Sequence, residues 1–327
     1  MISNLSKNIR IDNHLGALDE ETIIQSIYSG LNALPKQIAS MYFYDDVGTA
    51  LFHEITQLPE YYLTRTEKSL LIDISPSIGR TLKDVDIVEI GSGSSEKISI
   101  LLDSMPSDQI KSLRYIPIDV SRKAIEESAE ILSDRYPDLN IYGIVSDFNK
   151  QLHLIPNDRM RIFLFLGSTL GNMTIREMRN FFGILSDMMQ SGDMFLLGID
   201  LVKPENILET AYNDNQYLTA KFNKNILKVV NILAGTDFQQ DYFEHIAFYN
   251  EICTRIEMHL KATRSMVIQS SRFPDDIILE KGEMIQTENS YKFAPETIFK
   301  LARIVYLKVA SIISDVNKWF GLIQMYK

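Results

Sequence analysis

The nine residues Glu89-Ile90-Gly91-Ser92-Gly93-Ser94-Ser95-Glu96-Lys97 carry the strongest chemical signal in the chain. Their first two residues end a short apolar run, Val85–Ile90. They precede Ile98, Leu101, Leu102 and Met105, which fall on one helical face closed by Pro106. Glycines after a strand let the backbone turn sharply and let a ligand approach it. The helix N-terminus that follows offers free N–H groups to an anionic ligand group. Glu96 stands where a third glycine would complete a dinucleotide loop, which argues against a nicotinamide cofactor. Acidic residues recur at matching places downstream. Asp119 closes the run Tyr115–Ile118 and suits ribose hydroxyls. Asp147, followed by Phe148, closes Ile141–Val145 and suits an adenine amino group and ring. Taken singly, each carboxylate reads as a helix cap or a solvated loop residue. Taken in order, each lies past a strand's C-terminal end, where open α/β sheets bind ligands.

The elements that must position these groups alternate. Further apolar runs, Arg161–Leu166 ending at Gly167 and Met194–Ile199, extend the series, with Thr174-x-x-Glu177 capping an intervening helix. The runs lack polar alternation, as expected of parallel strands covered on both faces. Before them the chain reads as helical: residues 19–33 and 46–58 carry apolar residues at helical spacing, and Thr64-x-x-Glu67 reads as a capping box opening a third helix. Residues 203–260 read as helical again, with strand-like stretches at 264–288 and a helix at 295–305. Lys308–Ile313 and Trp319–Met325 suit a closing hairpin. The expected layout is a Rossmann-like domain of residues 65–202 plus 291–327, and a mainly helical α+β substrate domain of 1–64 plus 203–290.

A Rossmann-like sheet with a glycine loop and acidic strand ends resembles the class I S-adenosylmethionine-dependent methyltransferases. A narrower resemblance rests on long motifs: Tyr42-Phe43-Tyr44-Asp45-Asp46-Val47-Gly48, Leu58-Pro59-Glu60-Tyr61-Tyr62-Leu63-Thr64-Arg65-Thr66-Glu67, and Gly167-Ser168-Thr169-Leu170-Gly171-Asn172. It continues in Ala211-Tyr212-Asn213-Asp214, Thr219-Ala220-Lys221-Phe222-Asn223, Arg255-Ile256-Glu257-Met258 and Thr287-Glu288-Asn289-Ser290-Tyr291-Lys292-Phe293. These segments resemble the histidine-specific Nα-methyltransferases of the ergothioneine pathway, which form hercynine. The resemblance covers nearly all the chain after residue 20.

It implies roles. Gly91, Ser92, Gly93, Lys97, Asp119, Asp147, Phe148 and Gly167 would bind S-adenosylmethionine, with S-adenosylhomocysteine as product. Asn172 and Tyr212 would hold the carboxylate of L-histidine, and Glu288 and Ser290, with Asn289 between them, its imidazole. Tyr61 would sit against the substrate, Met258 would line the ring pocket, and Tyr44 and Asn172 would orient the amine for catalysis. The residue types suit the task, because an imidazole needs one acceptor and one donor. Residues two apart on a strand face the same way, so Glu288 and Ser290 can act together. Another amino acid, such as tryptophan or a derivative, remains a rival substrate. An indole, however, offers one N–H donor and leaves half of such a site unpaired. His259, next to Met258, stands where the family leads us to expect an aromatic, and the stretch before Lys308 also departs from the pattern.

Composition narrows the remaining classes. The chain has 327 residues and a formal net charge of −10. Its Lys and Arg are scattered, which disfavours a nucleic-acid partner. One cysteine, Cys253, allows no internal disulfide, and the five histidines lack metal spacing. No apolar run approaches the ~20 residues a membrane helix needs, and the polar N-terminus does not read as a signal peptide. A cytoplasmic monomer acting on a small molecule is expected; a non-catalytic cofactor-binding module is the rival from another class.

Overall fold

Asp86–Ile90, Arg161–Phe165 and Met194–Asp200 are buried at every residue, as an unbroken apolar run must be when both faces of its sheet are covered. The computed structural model describes residues 8–15, 20–80 and 82–327. They form two compact units.

The first unit takes the described N-terminal residues, Leu63–Leu201 and Phe293–Lys327. Numbered along the whole chain, it holds β1 (Ile9–Asn13), α3 (Tyr62–Gly79), β3 (Asp86–Ile90), α4 (Glu96–Asp103), α5 (Ser107–Ile110), β4 (Arg114–Asp119), α6 (Arg122–Arg135) and β5 (Asn140–Val145). It continues with α7 (Phe148–Gln151), β6 (Arg161–Phe165), α8 (Ile175–Met188), β7 (Met194–Asp200), α11 (Pro295–Ile304), β13 (Lys308–Ser314) and β14 (Phe320–Tyr326). The sheet order is β1-β5-β4-β3-β6-β7-β14-β13. Strands β1, β3, β4, β5, β6 and β7 run parallel, while β14 is antiparallel to both β7 and β13. This is the class I methyltransferase arrangement with one strand added. The order turns at β3: the chain passes to β4 and β5 on one side and then to β6 on the other. A crevice for ligands opens at such a switch point.

The added strand corrects an expectation. Residues 1–64 do not stay together, because Ile9–Asn13 pairs in register with Ile141–Val145 and extends the first unit's sheet. A second correction concerns Glu67. Helix α3 already starts at Tyr62, so Thr64 and Glu67 lie within it and form no capping box. The Thr174/Glu177 capping box does form at the start of α8.

One ion pair in this core is fully enclosed. Arg161 Nε and Nη2 donate to Asp193 Oδ2 at 3.0 and 2.7 Å, and neither side chain reaches solvent. Asp193 also accepts from the backbone N–H of Arg161 and of Gln190, both at 2.8 Å. Removing one partner strands the other charge, so Asp193→Ala is expected to cost about 3–5 kcal/mol, read as a drop in the urea midpoint. A loss below about 1 kcal/mol would contradict this reading.

The second unit takes the described residues from 20 to 62 together with Val202–Lys292. It holds α1 (Glu20–Asn32), β2 (Lys36–Gln37), α2 (Asp46–Thr56), α9 (Glu205–Tyr212), α10 (Leu218–Ala234), β8 (Phe243–Asn250), β9 (Arg255–Ala262), β10 (Met266–Ile268), β11 (Ile277–Leu279) and β12 (Met284–Tyr291). Its main sheet has the order β2-β12-β9-β8, and β10 and β11 form a separate hairpin. The expected helical stretch of 203–260 therefore ends early, at Ala234. Residues 243–262 form two strands, whose mixed burial gives them no clean alternation to read. The Tyr42–Gly48 motif is a junction. Asp45 caps α2 by accepting from Gly48 N–H at 2.7 Å and also accepts from Asn225 Nδ2 at 2.7 Å. A side chain on Gly48 would start 1.7 Å from the Phe43 carbonyl, so glycine is required there.

Candidate active site

In the first unit the loop after β3 turns through Gly91 and Gly93, at φ +66° and +51°. These left-handed values are easy for glycine and strained for other residues. Asp119, at the end of β4, reaches across to this loop. It accepts from Gly93 N–H at 3.0 Å and from Ser121 N–H at 2.9 Å. Burial raises its pKa, against the pull of those backbone donors. The Val120 N–H also bonds Asp119, so of about four acceptor positions on a carboxylate one remains for a ligand hydroxyl. Phe148 lies over the loop, 4.0 Å from where a Gly91 side chain would begin. It is wedged edge-on against Phe165 and Phe181 at 5.6 and 6.2 Å. Asp147 pairs with Lys150 at 3.1 Å. Glu89, two residues before the first glycine, has a structural role. It is buried and accepts from Tyr115 Oη at 2.5 Å, and burial pushes its carboxyl up to about 7.

Sequence reasoning missed the residue that ties this half together. Glu67, 1% exposed, accepts the Gly167 N–H at 2.7 and 3.0 Å and pairs with Lys97 Nζ at 2.7 Å. It thus joins the loop after β3 to the loop after β6, where Gly167 and Ser168 are both left-handed. The signal was hidden because Glu67 matched a capping pattern. Asn172 closes the short turn Thr169–Asn172 that follows, half-buried.

The residues of this half suit a nucleoside bearing a charged amino-acid tail. Two serine hydroxyls, Ser92 Oγ in the glycine loop and Ser146 Oγ before Asp147, are buried with no partner among the described residues. Buried polar atoms are normally satisfied, so their position beside the two expected nucleoside contacts fits a bound ligand.

In the second unit the pairing of β12 with β9 decides which side chains share a face. The register shifts between Gln286 and Glu288, and past that bulge Glu288 stands opposite Met258 and Ser290 opposite Ile256. Cross-strand partners share a face, so Met258 lies beside Glu288. Asn289 pairs with Glu257 on the other face, where it accepts from Gln286 Nε2 at 2.8 Å. The pleat thus corrects the expectation that Asn289 joins the pocket. His259 also points to that far face. It stacks flat on Phe248 at 5.4 Å and bonds Glu257 at 3.0 Å, filling the aromatic position itself.

Tyr212, at the end of α9, bonds Ser290 Oγ at 2.8 Å. Lys292 Nζ bonds Ser290 Oγ at 2.7 Å and Tyr212 Oη at 3.1 Å. Burial pushes the Glu288 carboxyl up to about 7, with the positive charge of Lys292 opposing. Tyr61 meets Tyr212 edge-on at 6.2 Å and continues through Phe52 to Tyr44, whose ring is 6.0 Å from Phe52 and half exposed. The second unit therefore brings together Tyr61, Tyr212, Glu288, Ser290 and Met258, with Tyr44 one ring further out.

His245 braces Tyr212. It takes a bond from Asn223 Nδ2 at 2.8 Å on Nδ1 and meets the Tyr212 carbonyl at 2.9 Å through Nε2. The carbonyl accepts only, so Nε2 carries the proton and Nδ1 is the acceptor, which is the neutral ring. Burial holds its pKa below 6.5. A folded value below the unfolded one gives stability that is full above pH 6.5 and is lost as pH falls through the folded value. We expect thermal stability of the wild type to decline on acidification from 6.5, and His245→Gln to flatten that slope; parallel curves would refute the assignment.

Among the described residues no group of three or more His, Cys, Asp or Glu side chains is placed to hold a metal ion, and no helix is long and apolar enough to cross a membrane. Comparison with known proteins adds three relatives. The chain is 40% identical over 278 residues to a histidine N-alpha-methyltransferase of Mycolicibacterium smegmatis, covering 85% of this chain and 86% of that one. It is 37% identical over 291 residues to a protein of the same description from Mycobacterium tuberculosis, covering 89% and 90%. It is 27% identical over 292 residues to ergothioneine biosynthesis protein 1 of Schizosaccharomyces pombe, covering 85% of this chain and 37% of that one. Residues 23–327 match the family model described as histidine-specific methyltransferase, SAM-dependent. With a class I sheet, a glycine loop between acidic strand ends and that match over most of its length, the chain belongs to the S-adenosylmethionine-dependent, histidine-specific methyltransferases.

Proposed function

We propose that this protein methylates the α-amino group of L-histidine, three times in succession, to give hercynine. The observation that carries this reading is the shared face of Glu288, Ser290 and Met258 on β12 and β9, with Tyr212 bonded to Ser290. A carboxylate and a hydroxyl can accept from and donate to the two nitrogens of a neutral imidazole. Met258 supplies an apolar wall that adapts to the ring.

S-adenosylmethionine supplies an activated methyl group, and its transfer is an in-line displacement that needs alignment more than acid–base power. Gly91, Ser92, Gly93, Lys97, Asp119, Asp147, Phe148 and Gly167 would hold it. An α-amino group is largely protonated at neutral pH, so the protein must present its lone pair. We assign that orientation to Tyr44 and Asn172, and the grip on the substrate carboxylate to Asn172 and Tyr212. As methyl groups accumulate, the nitrogen becomes a permanent cation, which the faces of Tyr61 and Tyr212 can stabilise. We place the reaction in the cytoplasm and read the protein as a monomer.

The test is a calorimetric titration with histidine, with and without S-adenosylhomocysteine, followed by mass spectrometry of a turnover reaction. Histidine binding and a product heavier by three methyl groups support the reading. Cofactor binding without histidine binding would discard the assignment of Glu288 and Ser290 and favour another amino acid. Replacing Asn172 by alanine should lower turnover about a hundredfold while the melting temperature stays within a few degrees; full activity would remove Asn172 from the site.

A further inference from the structure

The strand that carries Glu288 contains one residue more than its pairing needs, and that residue is anchored from outside the sheet. Along β9, Leu260 and Met258 are two apart and share a face. Their partners on β12 are Ile285 and Glu288, which are three apart. The pairing passes over Thr287, the extra residue of a β-bulge: Gln286 stands opposite His259 and Glu288 opposite Met258. A bulge bends its strand and re-aims the side chains beyond it. Strict alternation counted from the buried Ile285 would put Thr287 opposite Met258 and turn Glu288 to the far face, opposite Glu257. A shift of one residue exchanges the faces of every side chain it touches. The place of the bulge therefore decides which way Glu288 points.

The anchor is Asn223 of α10. It and Thr287 are both buried. Thr287 Oγ1 lies 2.7 Å from Asn223 Oδ1 and 3.1 Å from the Met258 carbonyl. Both of those oxygens accept, so the single hydroxyl proton is held between α10 and β9. The Asn223 amide can stand only one way round. Its Nδ2 donates to the His259 carbonyl at 3.0 Å and to Nδ1 of the neutral His245 ring at 2.8 Å. A carbonyl offers no proton, so the amide nitrogen must face it and the amide oxygen must face Thr287. One side chain of α10 thus grips β8, β9 and β12 together. Through His245 it also reaches the Tyr212 carbonyl.

We infer that Asn223 and Thr287 are positioning residues that fix the bulge of β12 and so turn Glu288 toward the substrate ring. The inference rests on the histidine reading above and deepens it. Thr287 acts through the direction of Glu288, and Asn223 acts through Thr287. Without their bond the bulge is free to migrate along β12, and Glu288 divides its time between the pocket and the far face. The loss falls on the grip of the ring, not on the methyl transfer.

The test compares wild-type protein with Thr287→Val, Thr287→Ser, Asn223→Ala, Glu288→Ala and Thr287→Val/Glu288→Ala, all as full-length chains. Histidine KM and kcat are measured across pH, together with calorimetric affinity for S-adenosylhomocysteine. Thr287→Val keeps the shape and the β-branch but removes the hydroxyl. It should raise the histidine KM about tenfold, the worth of one buried hydrogen bond. Its kcat should stay within about threefold, with the S-adenosylhomocysteine affinity unchanged. The fall of KM with rising pH that Glu288 confers should flatten in this variant, which a merely structural role would not cause. Thr287→Ser restores the hydroxyl and should bring KM back to within about threefold of wild type. Asn223→Ala should match Thr287→Val; where it does not fold, the two Thr287 variants carry the comparison. Because Thr287 acts through Glu288, adding Thr287→Val to Glu288→Ala should cost less than about twofold more. An unchanged KM and pH profile in Thr287→Val overturns the role of the bulge anchor alone. So do equal losses in the valine and serine variants, and additive losses in the double variant. A wild type that neither binds nor methylates histidine removes the underlying reading and this inference with it.

Discussion

Glu288→Ala is expected to raise the Michaelis constant for histidine about a hundredfold, because a buried ring N–H left without its acceptor costs on the order of 1–3 kcal/mol. The S-adenosylhomocysteine affinity should hold, since its proposed contacts lie in the other unit. The same residue predicts a pH profile. Burial lifts the Glu288 carboxyl to about 7, so near neutrality it passes from protonated to ionised. Only the ionised form can accept from the ring N–H without offering a competing proton. The histidine KM should therefore fall as pH rises through about 7, beyond the change caused by titration of the substrate itself. Glu288→Gln, which cannot ionise, supplies the control: its KM should follow the substrate's titration alone. If wild type and Glu288→Gln have parallel profiles, Glu288 does not face the ring.

The second large effect concerns Glu67. Its carboxylate is the common partner of Lys97 and of the Gly167 N–H. Truncation to alanine leaves a backbone N–H without its acceptor and Lys97 without its counter-charge. Glu67 is buried and Lys97 part-exposed, so the loss falls below the ~3–5 kcal/mol of a fully buried pair; the orphaned N–H adds about 1–3 kcal/mol. We expect Glu67→Ala to lower the melting temperature by several degrees and to weaken S-adenosylhomocysteine binding at least tenfold. Glu67→Gln should retain the bond to Gly167 and part of the stability, but not the affinity, because Lys97 loses its anchor. Wild-type affinity in both variants would show that Lys97 is held elsewhere. The space around Glu67 is already full: a side chain on Gly198 would start 2.1 Å from Glu67 Oε1. Even alanine at 198 should therefore reproduce part of this phenotype.

What could be read in advance follows the range of the forces involved. The parallel strands were legible because covering both faces makes each one a continuous apolar run, and the glycine loop because a left-handed φ at Gly91 and Gly93 restricts residue type. Strands β8 and β9 were not legible. Most of β8 is half-buried and most of β9 buried, in an order set by α9 and α10 packing above them, which no local pattern announces. Strand β1 was missed for a similar reason: Ile-Arg-Ile-Asp-Asn alternates weakly, and only the exposed edge of β5 selects it. On the site side, Glu288, Ser290 and Met258 shared a face as the two-residue repeat requires, while Asn289 fell away by the same rule. Glu67 and Lys292 were visible as letters but not as partners. Their meaning lies in contacts across 100 residues to Gly167 and 80 to Tyr212.

The chain of the first unit is interrupted between β7 and α11, and the interruption is stitched shut. Leu201 bridges to Phe293, and the Phe293 N–H donates to the Asp200 carbonyl at 2.8 Å. To the sheet, everything from Val202 to Lys292 is therefore one closed loop whose ends already meet. Loop closure depends only weakly on length, about 0.6 kcal/mol per doubling. That excursion, whose last strand carries Glu288 and Ser290, could then be lengthened, shortened or rewritten without disturbing the strands that carry the glycine loop. On the reading proposed above, amine preference can change within the excursion while those strands stay as they are.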